Sequence, residues 1–310
     1  MRDDKSVPPT PRRPALFAAA TLTVLCLGAT GCGGGGSDTA QVRPGPDGTE
    51  AASPSPARTA PSPAHSGPAS AKHSPAPSAS APDGPSGPLS GKTVVIDPGH
   101  NPRNHLHTAE IARQVDIGTT HKECDTTGTS TNAGYAEAEF TLDVAHRMRT
   151  LLKAQGAKVV LTYDNDRSFG PCVDERARIG NKAGADAVVS VHADGSAAGN
   201  RGFHVILPAP VRGGGADTSK IVGPSRDLGT RIAGLFVRAT GSAPSNYIGG
   251  NTGLDTRKDL GGLNLSSVPK VFIECGNMRD PKDAALLTSA SWRQKAAQGI
   301  ADGISSYLNG

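Results

Sequence analysis

The chain has 310 residues and a formal net charge of +4, and its length suits one or two domains. Residues 33–90 contain 12 of the 25 prolines and no aromatic residue, so this stretch lacks the apolar surface that a folded core needs. Residues 91–310 carry 25 basic and 22 acidic side chains, a balance that argues against nucleic-acid binding.

The first 32 residues are predicted to be an export signal, because arginines precede a short apolar stretch at residues 15–31. It is the only apolar stretch near spanning length, which excludes channels and transporters. The signal ends in Ala-Thr-Gly-Cys, which is similar to the bacterial lipobox except that Leu is usual where Ala29 stands. We therefore expect Cys32 to be lipidated and to anchor the protein to the membrane, facing the cell wall. The alternative is a plain signal peptide and a secreted protein.

Residues 33–90 are rich in Pro, Ser, Ala and Gly and predict a disordered tether. Such a linker would hold a folded domain at residues 91–310 away from the membrane and within reach of the cell wall. The alternative is a disordered tail that does not serve to extend the domain toward the cell wall.

Three cysteines remain in the predicted domain. Cys124 and Cys172 lie in polar, loop-like sequence, whereas Cys275 lies in an apolar run that suits a buried free thiol. Because disulfides persist outside the membrane, we predict a bond between Cys124 and Cys172, stabilising the domain by roughly 4 kcal/mol. The alternative is three free thiols.

Apolar runs and helical periodicity alternate along the domain. Strands are predicted at residues 93–96, 158–163, 187–191, 203–207 and 270–273, and helices at 139–155, 173–183, 225–240, 281–287 and 292–308. This alternation predicts an α/β fold in which helices flank both faces of a single twisted, mainly parallel sheet.

The segment at residues 101–134 is too long and too polar for an ordinary connection, and such loops are usually functional. It shows no apolar stripe that would pin it to a core. Our hypothesis is that the disulfide at Cys124 holds it as one wall of a substrate groove.

Three polar residues follow predicted strands: His100, His192 and Glu274. The carboxyl ends of parallel strands share one edge of a sheet, where ligands bind. Two imidazoles and a carboxylate at that edge are the ligands of a catalytic Zn²⁺. A metal site with two histidines and a separate base needs one more ligand. Glu137 and Glu139 are the candidates, and spacing alone does not separate them.

Three motifs carry a family resemblance. They are Asp97-Pro98-Gly99-His100, Ser190-Val191-His192-Ala193-Asp194 and Ile273-Glu274-Cys275-Gly276-Asn277. Together they resemble the zinc-dependent N-acetylmuramoyl-L-alanine amidases of the amidase-3 type, over the whole of residues 91–310.

The resemblance implies that His100, Glu137 and His192 bind one Zn²⁺, with Glu139 as the fallback ligand. It assigns Glu274 as the catalytic carboxylate and not as a ligand, which corrects the reading from strand ends. It implies a monomeric peptidoglycan hydrolase that cleaves the amide between N-acetylmuramic acid and L-alanine by zinc-activated water, in remodelling or turnover of the cell wall. It also implies that Asn264 contacts substrate.

Other polar residues have competing interpretations. Three histidines of the long segment, His105, His107 and His121, are either exposed loop residues or a second metal cluster. Asp97 either orients His100 or forms a turn. The charged run at residues 174–178 is interpreted as a solvated helix face.

Two other functions compete with the amidase. A non-catalytic peptidoglycan-binding lipoprotein would have no need of Glu274. A zinc peptidase acting within the stem peptide would share the metal chemistry and differ in pocket shape.

Overall fold

The computed structural model of the protein describes residues 86–310. The predicted signal peptide, Cys32 and residues 33–85 of the predicted tether lie outside the described residues and stay predictions.

Strands and helices alternate over most of the described chain, as expected. The strands are β1 (Thr93–Pro98), β2 (Gln114–Asp116), β3 (His121–Glu123), β4 (Lys158–Leu161), β5 (Ala187–Asp194), β6 (His204–Pro208), β7 (Arg212–Gly213), β8 (Ala216–Asp217), β9 (Leu254–Arg257) and β10 (Lys270–Asn277). The helices are α1 (Thr108–Ile111), α2 (Glu137–Ala154), α3 (Val173–Lys182), α4 (Val222–Thr240), α5 (Gly261–Asn264), α6 (Pro281–Leu287) and α7 (Ala290–Leu308).

Six strands form the main sheet, in the order β4-β1-β5-β10-β6-β9. The first four of these are parallel to one another, and β6 runs antiparallel to β10 and pairs in parallel with β9. The predicted α/β fold with a mainly parallel sheet is therefore confirmed. The strand β9 was not predicted, because its sequence, Leu-Asp-Thr-Arg, carries little apolar signal.

Alternate residues of the parallel strands serve opposite faces of the sheet. In β1, Val94 and Ile96 pack into the main core with α2, α4 and α7, whereas Val95 packs with residues of α3 on the other face. The main core is built from apolar side chains of the sheet and of α2, α4 and α7. The α3 face instead carries polar side chains toward the carboxyl ends of its strands, and these are the residues that build the site described below.

Two of the predicted strands are longer than their apolar runs. The strand β5 continues to Asp194 and β10 continues to Asn277, so that His192 and Glu274 lie within strands rather than after them. Their positions still fall on the expected edge, because both lie in the last residues of parallel strands.

The segment at residues 101–134 is more structured than expected. It contains α1 and the β2–β3 hairpin, and Val115 and Ile117 are buried in a small core with the cysteine pair. The expectation that no apolar residues pin this segment is therefore wrong. A cluster of two apolar side chains is too sparse to show as a periodic stripe, although it is large enough to order a short hairpin.

The disulfide joins Cys124, just after β3, to Cys172, just before α3, across a sequence separation of 48 residues. Backbone bonding continues the link, because the Val173 amide donates to the carbonyl of Cys124 at 2.7 Å. Among the described residues Cys275 is the free cysteine, and it is buried in the main core, as expected.

The helices α4 and α7 pack closely because glycines of α7 face the α4 backbone. A Cβ atom at Gly303 would lie 2.5 Å from the Cα of Ile232, and one at Gly299 would lie 2.8 Å from the Cα of Phe236. No ordinary Cβ contact is that short, so these positions require glycine for packing and not for backbone freedom.

We predict that Gly303→Ala destabilises the domain by about 1–3 kcal/mol, because the added methyl group forces α7 away from α4. The matched control is Gly234→Ala on α4, where a Cβ would meet nothing within 4 Å. That change should stabilise the helix by about 0.5–1 kcal/mol through helix propensity. Urea unfolding of both variants measures the difference, and changes of the same sign in the two would contradict the packing argument.

A second prediction concerns the disulfide. Cys124→Ser should lower the free energy of unfolding by at most about 4 kcal/mol and reduce hydrolysis of polymeric peptidoglycan, because the β2–β3 segment would lose its covalent tie. Metal content should stay unchanged, since neither cysteine belongs to the metal-ligand cluster.

The control for this prediction is the double variant Cys124→Ser/Cys172→Ser. The Cys124→Ser change already removes the whole disulfide bond, so replacing Cys172 as well removes no further bond. The double variant should therefore be no less stable than the Cys124→Ser variant. Additive losses of stability would show that the two cysteines act separately.

Candidate metal centre and active site

Three of the predicted site residues meet at the carboxyl edge of the sheet. His100 follows β1, Glu137 begins α2 and His192 lies near the end of β5. The Glu137 carboxylate lies between the two rings, with Oε2 3.2 Å from His100 Nε2 and Oε1 3.0 Å from His192 Nδ1. One possible ligand atom from each residue lies within 4.8 Å of the other two.

The structure also separates the two candidate glutamates. Glu137 is buried, and its carboxylate accepts hydrogen bonds from the amides of Thr129 at 3.0 Å and Ala193 at 3.2 Å. Glu139 is exposed. The two-residue step along the first turn of α2 turns one carboxylate into the cluster and the other to solvent.

Two glycines allow the backbone to approach the side chains of the cluster closely. A Cβ atom at Gly99 would overlap the ring of His192, and one at Gly128 would lie 2.8 Å from Glu137 Oε2. Gly128 also has a φ of +72°, and His100 itself has a φ of +59°. The Gly of the Asp-Pro-Gly-His motif is therefore required by packing against the second histidine.

Glu137 and His100 influence each other's protonation strongly. Burial opposes ionisation of Glu137, but His100 and His192 hold its pKa well below the usual range. Burial also opposes protonation of His100, but Glu137 and Asp125 raise its pKa well above the usual value. The cluster therefore concentrates negative charge that favours a cation between the residues.

Two imidazole nitrogens and one carboxylate oxygen make a donor set that suits Zn²⁺, which needs three protein ligands and one open position in catalytic sites. Within residues 86–310 this is the one group of three acidic, histidine or cysteine side chains whose ligand atoms converge in this way. The residues therefore fit a metal ion of the predicted kind.

Glu274 lines the same cavity as the cluster without belonging to it. Its Oε2 atom is buried and has no hydrogen-bond partner. Burial raises the pKa of Glu274 well above its usual value, and the nearby carboxylates of Glu137 and Asp194 raise it further. Such a carboxyl group is suited to exchange protons near neutral pH.

Two neighbouring cavities share the walls of the site. The first measures about 300 Å³ and contains the metal-ligand cluster and Glu274, with Arg257 on its wall. The second measures about 270 Å³ and extends under β3 and α5, between Lys122 and Phe272. The β2–β3 hairpin therefore forms one wall beside the candidate metal site.

Arg257 and Phe272 are among the lining residues that were not predicted from the sequence. Arg257 ends β9, which gives too weak a strand signal to place it at the site. Phe272 precedes Glu274 by two residues on the same face of β10, and its ring stacks on that of His192 with centroids 5.2 Å apart. Alternation along β10 was the signal that could have identified Phe272.

The charged run at residues 174–178 was wrongly interpreted as wholly solvated, because Arg176 is buried. Its guanidinium binds Asp97 at 2.7 Å and Asp125 at 3.0 Å, and it also donates to the carbonyl of His100 at 3.0 Å. A buried positive charge needs nearby negative charge, and the carboxylates of Asp97 and Asp125 supply it. Helical periodicity reports only local burial and does not reveal such distant partners.

Asp97 does not form a turn and does not contact His100 directly. It is fully buried, and Lys270 and Arg176 hold its pKa well below the usual range although burial opposes this. Its link to His100 runs through Arg176 and Asp125, and the Nδ1 atom of His100 lies 3.3 Å from Asp125 Oδ1.

Asn264 lines neither of the two cavities. Its side chain is buried in α5, where the amide nitrogen donates to the carbonyl of Lys258 at 2.9 Å. Its Oδ1 atom is buried without a hydrogen-bond partner, and the expected substrate contact of Asn264 stays a prediction.

The remaining histidines of the long segment do not converge on one another. His105 and His121 are exposed, and His107 pairs with Glu110 at 3.0 Å. Within the part of the chain that the structure describes, they form no second metal cluster.

Comparison with known proteins identifies the family. The family model described as N-acetylmuramoyl-L-alanine amidase, Amidase_3, matches residues 94–306. The N-acetylmuramoyl-L-alanine amidase Rv3717 of Mycobacterium tuberculosis is 43% identical over 221 residues, which cover 71% of this chain and 88% of that protein.

Solved structures agree with this match. The crystal structure of the N-acetylmuramyl-L-alanine amidase Ami1 from Mycobacterium smegmatis superposes with a TM-score of 0.66 at 41% identity, covering 71% of this chain and 98% of that one. Ami1 from Mycobacterium abscessus gives a TM-score of 0.64 at 41% identity, covering 71% of this chain and 100% of that one. The chain therefore belongs to the Amidase_3 family of N-acetylmuramoyl-L-alanine amidases, as its three strand-end motifs predicted.

Proposed function

We propose that this protein is a zinc-dependent peptidoglycan hydrolase that cleaves the amide bond between N-acetylmuramic acid and the L-alanine of the stem peptide. The observation that carries the proposal is the cavity in which His100, Glu137 and His192 converge beside the unpartnered carboxyl group of Glu274. Family membership supplies the substrate class, since the relatives are named as N-acetylmuramoyl-L-alanine amidases.

The chemistry divides between the metal ligands and Glu274. A Zn²⁺ ion held by His100, Glu137 and His192 would polarise the scissile carbonyl and lower the pKa of attacking water. Glu274 accepts the proton that the water loses on attack, because its Oε2 atom has no competing hydrogen bond within the protein.

The same carboxyl group then returns the proton to the leaving nitrogen. An amide nitrogen is a poor leaving group until it is protonated, so Glu274 must hold the proton long enough to deliver it. Its raised pKa serves this second step, because burial beside Glu137 and Asp194 favours the neutral, proton-carrying form.

The protein acts outside the cytoplasm, like other cell wall amidases. We propose that Cys32 carries the lipid anchor, that residues 33–85 belong to the tether and that the catalytic domain works as a monomer. The predicted tether boundary at residue 90 is corrected, because Leu89 is fully buried in the main core and its amide donates to the carbonyl of Gln155 at 2.9 Å. No helix within residues 86–310 is long and apolar enough to span a membrane. We propose that the anchor at Cys32 is the membrane attachment, with secretion as the alternative.

The direct test is mass analysis of fragments released from purified peptidoglycan. The amidase should release free peptides that begin with an unblocked L-alanine and leave glycan strands without peptides. Cleavage within the stem peptide, with L-alanine still joined to the sugar, would instead support the zinc peptidase. Binding without any released fragment would support the non-catalytic alternative.

A set of variants separates ligands from the proton carrier. Glu274→Gln keeps the shape of the side chain but cannot carry the proton, so turnover should fall by roughly 10²–10⁴ while zinc is retained. His192→Ala and Glu137→Gln should lose both zinc and hydrolysis, because each removes a metal ligand.

The matched control is Glu139→Gln, which makes the same change on the same turn of α2 but at an exposed residue. It should keep zinc and activity, as measured by metal analysis and peptide release. Loss of zinc in the Glu274→Gln variant would make Glu274 a ligand and contradict the division of roles.

A further inference from the structure

Asp97 is the acceptor at the centre of a buried network beneath the metal-ligand cluster. Its Oδ1 atom accepts from Thr162 Oγ1 and Arg176 Nη1, both at 2.7 Å, and its Oδ2 atom accepts from Ser190 Oγ at 2.9 Å and Lys270 Nζ at 3.1 Å. With two cations against it, Asp97 is a carboxylate that only accepts hydrogen bonds. The hydroxyl proton of Ser190 therefore points to Asp97.

This direction fixes the role of the Nε2 atom of His192. Ser190 Oγ also lies 3.2 Å from His192 Nε2, and a hydroxyl group has a single proton, which Asp97 already receives. The Ser190 oxygen must therefore accept from an Nε2–H group of His192. The Nδ1 atom of His192 faces Glu137 Oε1 at 3.0 Å, so Nδ1 is the nitrogen that would give up its proton to a metal ion placed between the two residues.

His100 is held in the opposite way. Its Nδ1 atom lies 3.3 Å from Asp125 Oδ1, and Arg176 binds Asp125 at 3.0 Å. The same Nδ1 atom lies 3.2 Å from the carbonyl oxygen of Thr126. An Nδ1–H group of His100 therefore donates to these acceptors, and Nε2 is the nitrogen that faces Glu137 Oε2, at 3.2 Å. Because Arg176 also binds Asp97, one buried carboxylate supports the outer contacts of both histidines.

We propose that Ser190 is a positioning residue that makes His192 a metal ligand through Nδ1, while Asp125 makes His100 a ligand through Nε2. This inference rests on the proposed zinc site. A metal ion binds only an unprotonated ring nitrogen, so a histidine whose other N–H group is already held by a fixed acceptor loses less free energy on binding. The stacked ring of Phe272 supports the same orientation of His192.

The first experiment measures zinc affinity by competition with a chelator. Ser190→Ala should weaken zinc binding by about 10–100-fold, which is the usual effect of removing the hydrogen-bond partner of a metal-binding histidine. The matched control is Thr162→Val, which removes an equally buried hydroxyl donor from the same Asp97 carboxylate but has no contact with His192 in the network. Zinc affinity should be unchanged in this control, even though both variants lose stability.

The second experiment identifies the nitrogens directly, by ¹⁵N NMR of the zinc-loaded protein. We expect the ring proton on Nε2 in His192 and on Nδ1 in His100. Zinc bound through Nε2 of His192, or equal weakening of zinc affinity by Ser190→Ala and Thr162→Val, would overturn the inference. A parent protein that holds no zinc would overturn the proposed metal centre as well, so the two failures are distinguishable.

Discussion

The pairing of Arg176 with Asp97 and Asp125 is the constraint on which the site depends. A buried guanidinium is tolerated only when all its donors are satisfied, and here its remaining N–H groups reach backbone carbonyls that include those of Pro98 and His100. The end of β1, the segment leading to α2 and the start of α3 must therefore adopt one arrangement. That arrangement holds His100 at its positive φ value and aims its ring at the cluster.

Because side chains alternate along a strand, one face of the sheet packs into the core and the other face carries the residues of the site. One face packs against α2, α4 and α7 and is apolar, and its helices approach closely enough to require glycine at Gly303. The other face of the same strands carries Ser190, His192 and Glu274. Chemistry can therefore be placed on β5 and β10 without interrupting the main core, because each polar residue alternates with an apolar one.

Two carboxylates a short distance apart are driven to opposite protonation states by their surroundings. Glu137 lies between two imidazoles and receives two backbone amides, which stabilise its charge. Glu274 is buried without a partner for Oε2 and beside other negative groups, which stabilises its neutral form. One carboxylate is thereby suited to hold a cation and the other to transfer a proton, the division that hydrolysis of an amide requires.

The sequence by itself determined the α/β fold and brought His100, His192 and Glu274 to one edge of the sheet, because apolar periodicity reports local burial and the carboxyl ends of parallel strands share one edge. The resemblance of the motifs, and not periodicity, indicated the family and the exchange of Glu274 for Glu137 as a ligand. Tertiary structure decided what those local patterns do not contain. It buried Glu137 rather than Glu139, ordered the β2–β3 segment, and brought Arg176 to Asp97 across 79 residues and Lys270 to it across 173. A charged residue on a helix has the same local pattern whether it meets water or a buried partner, so only the folded chain distinguishes the two.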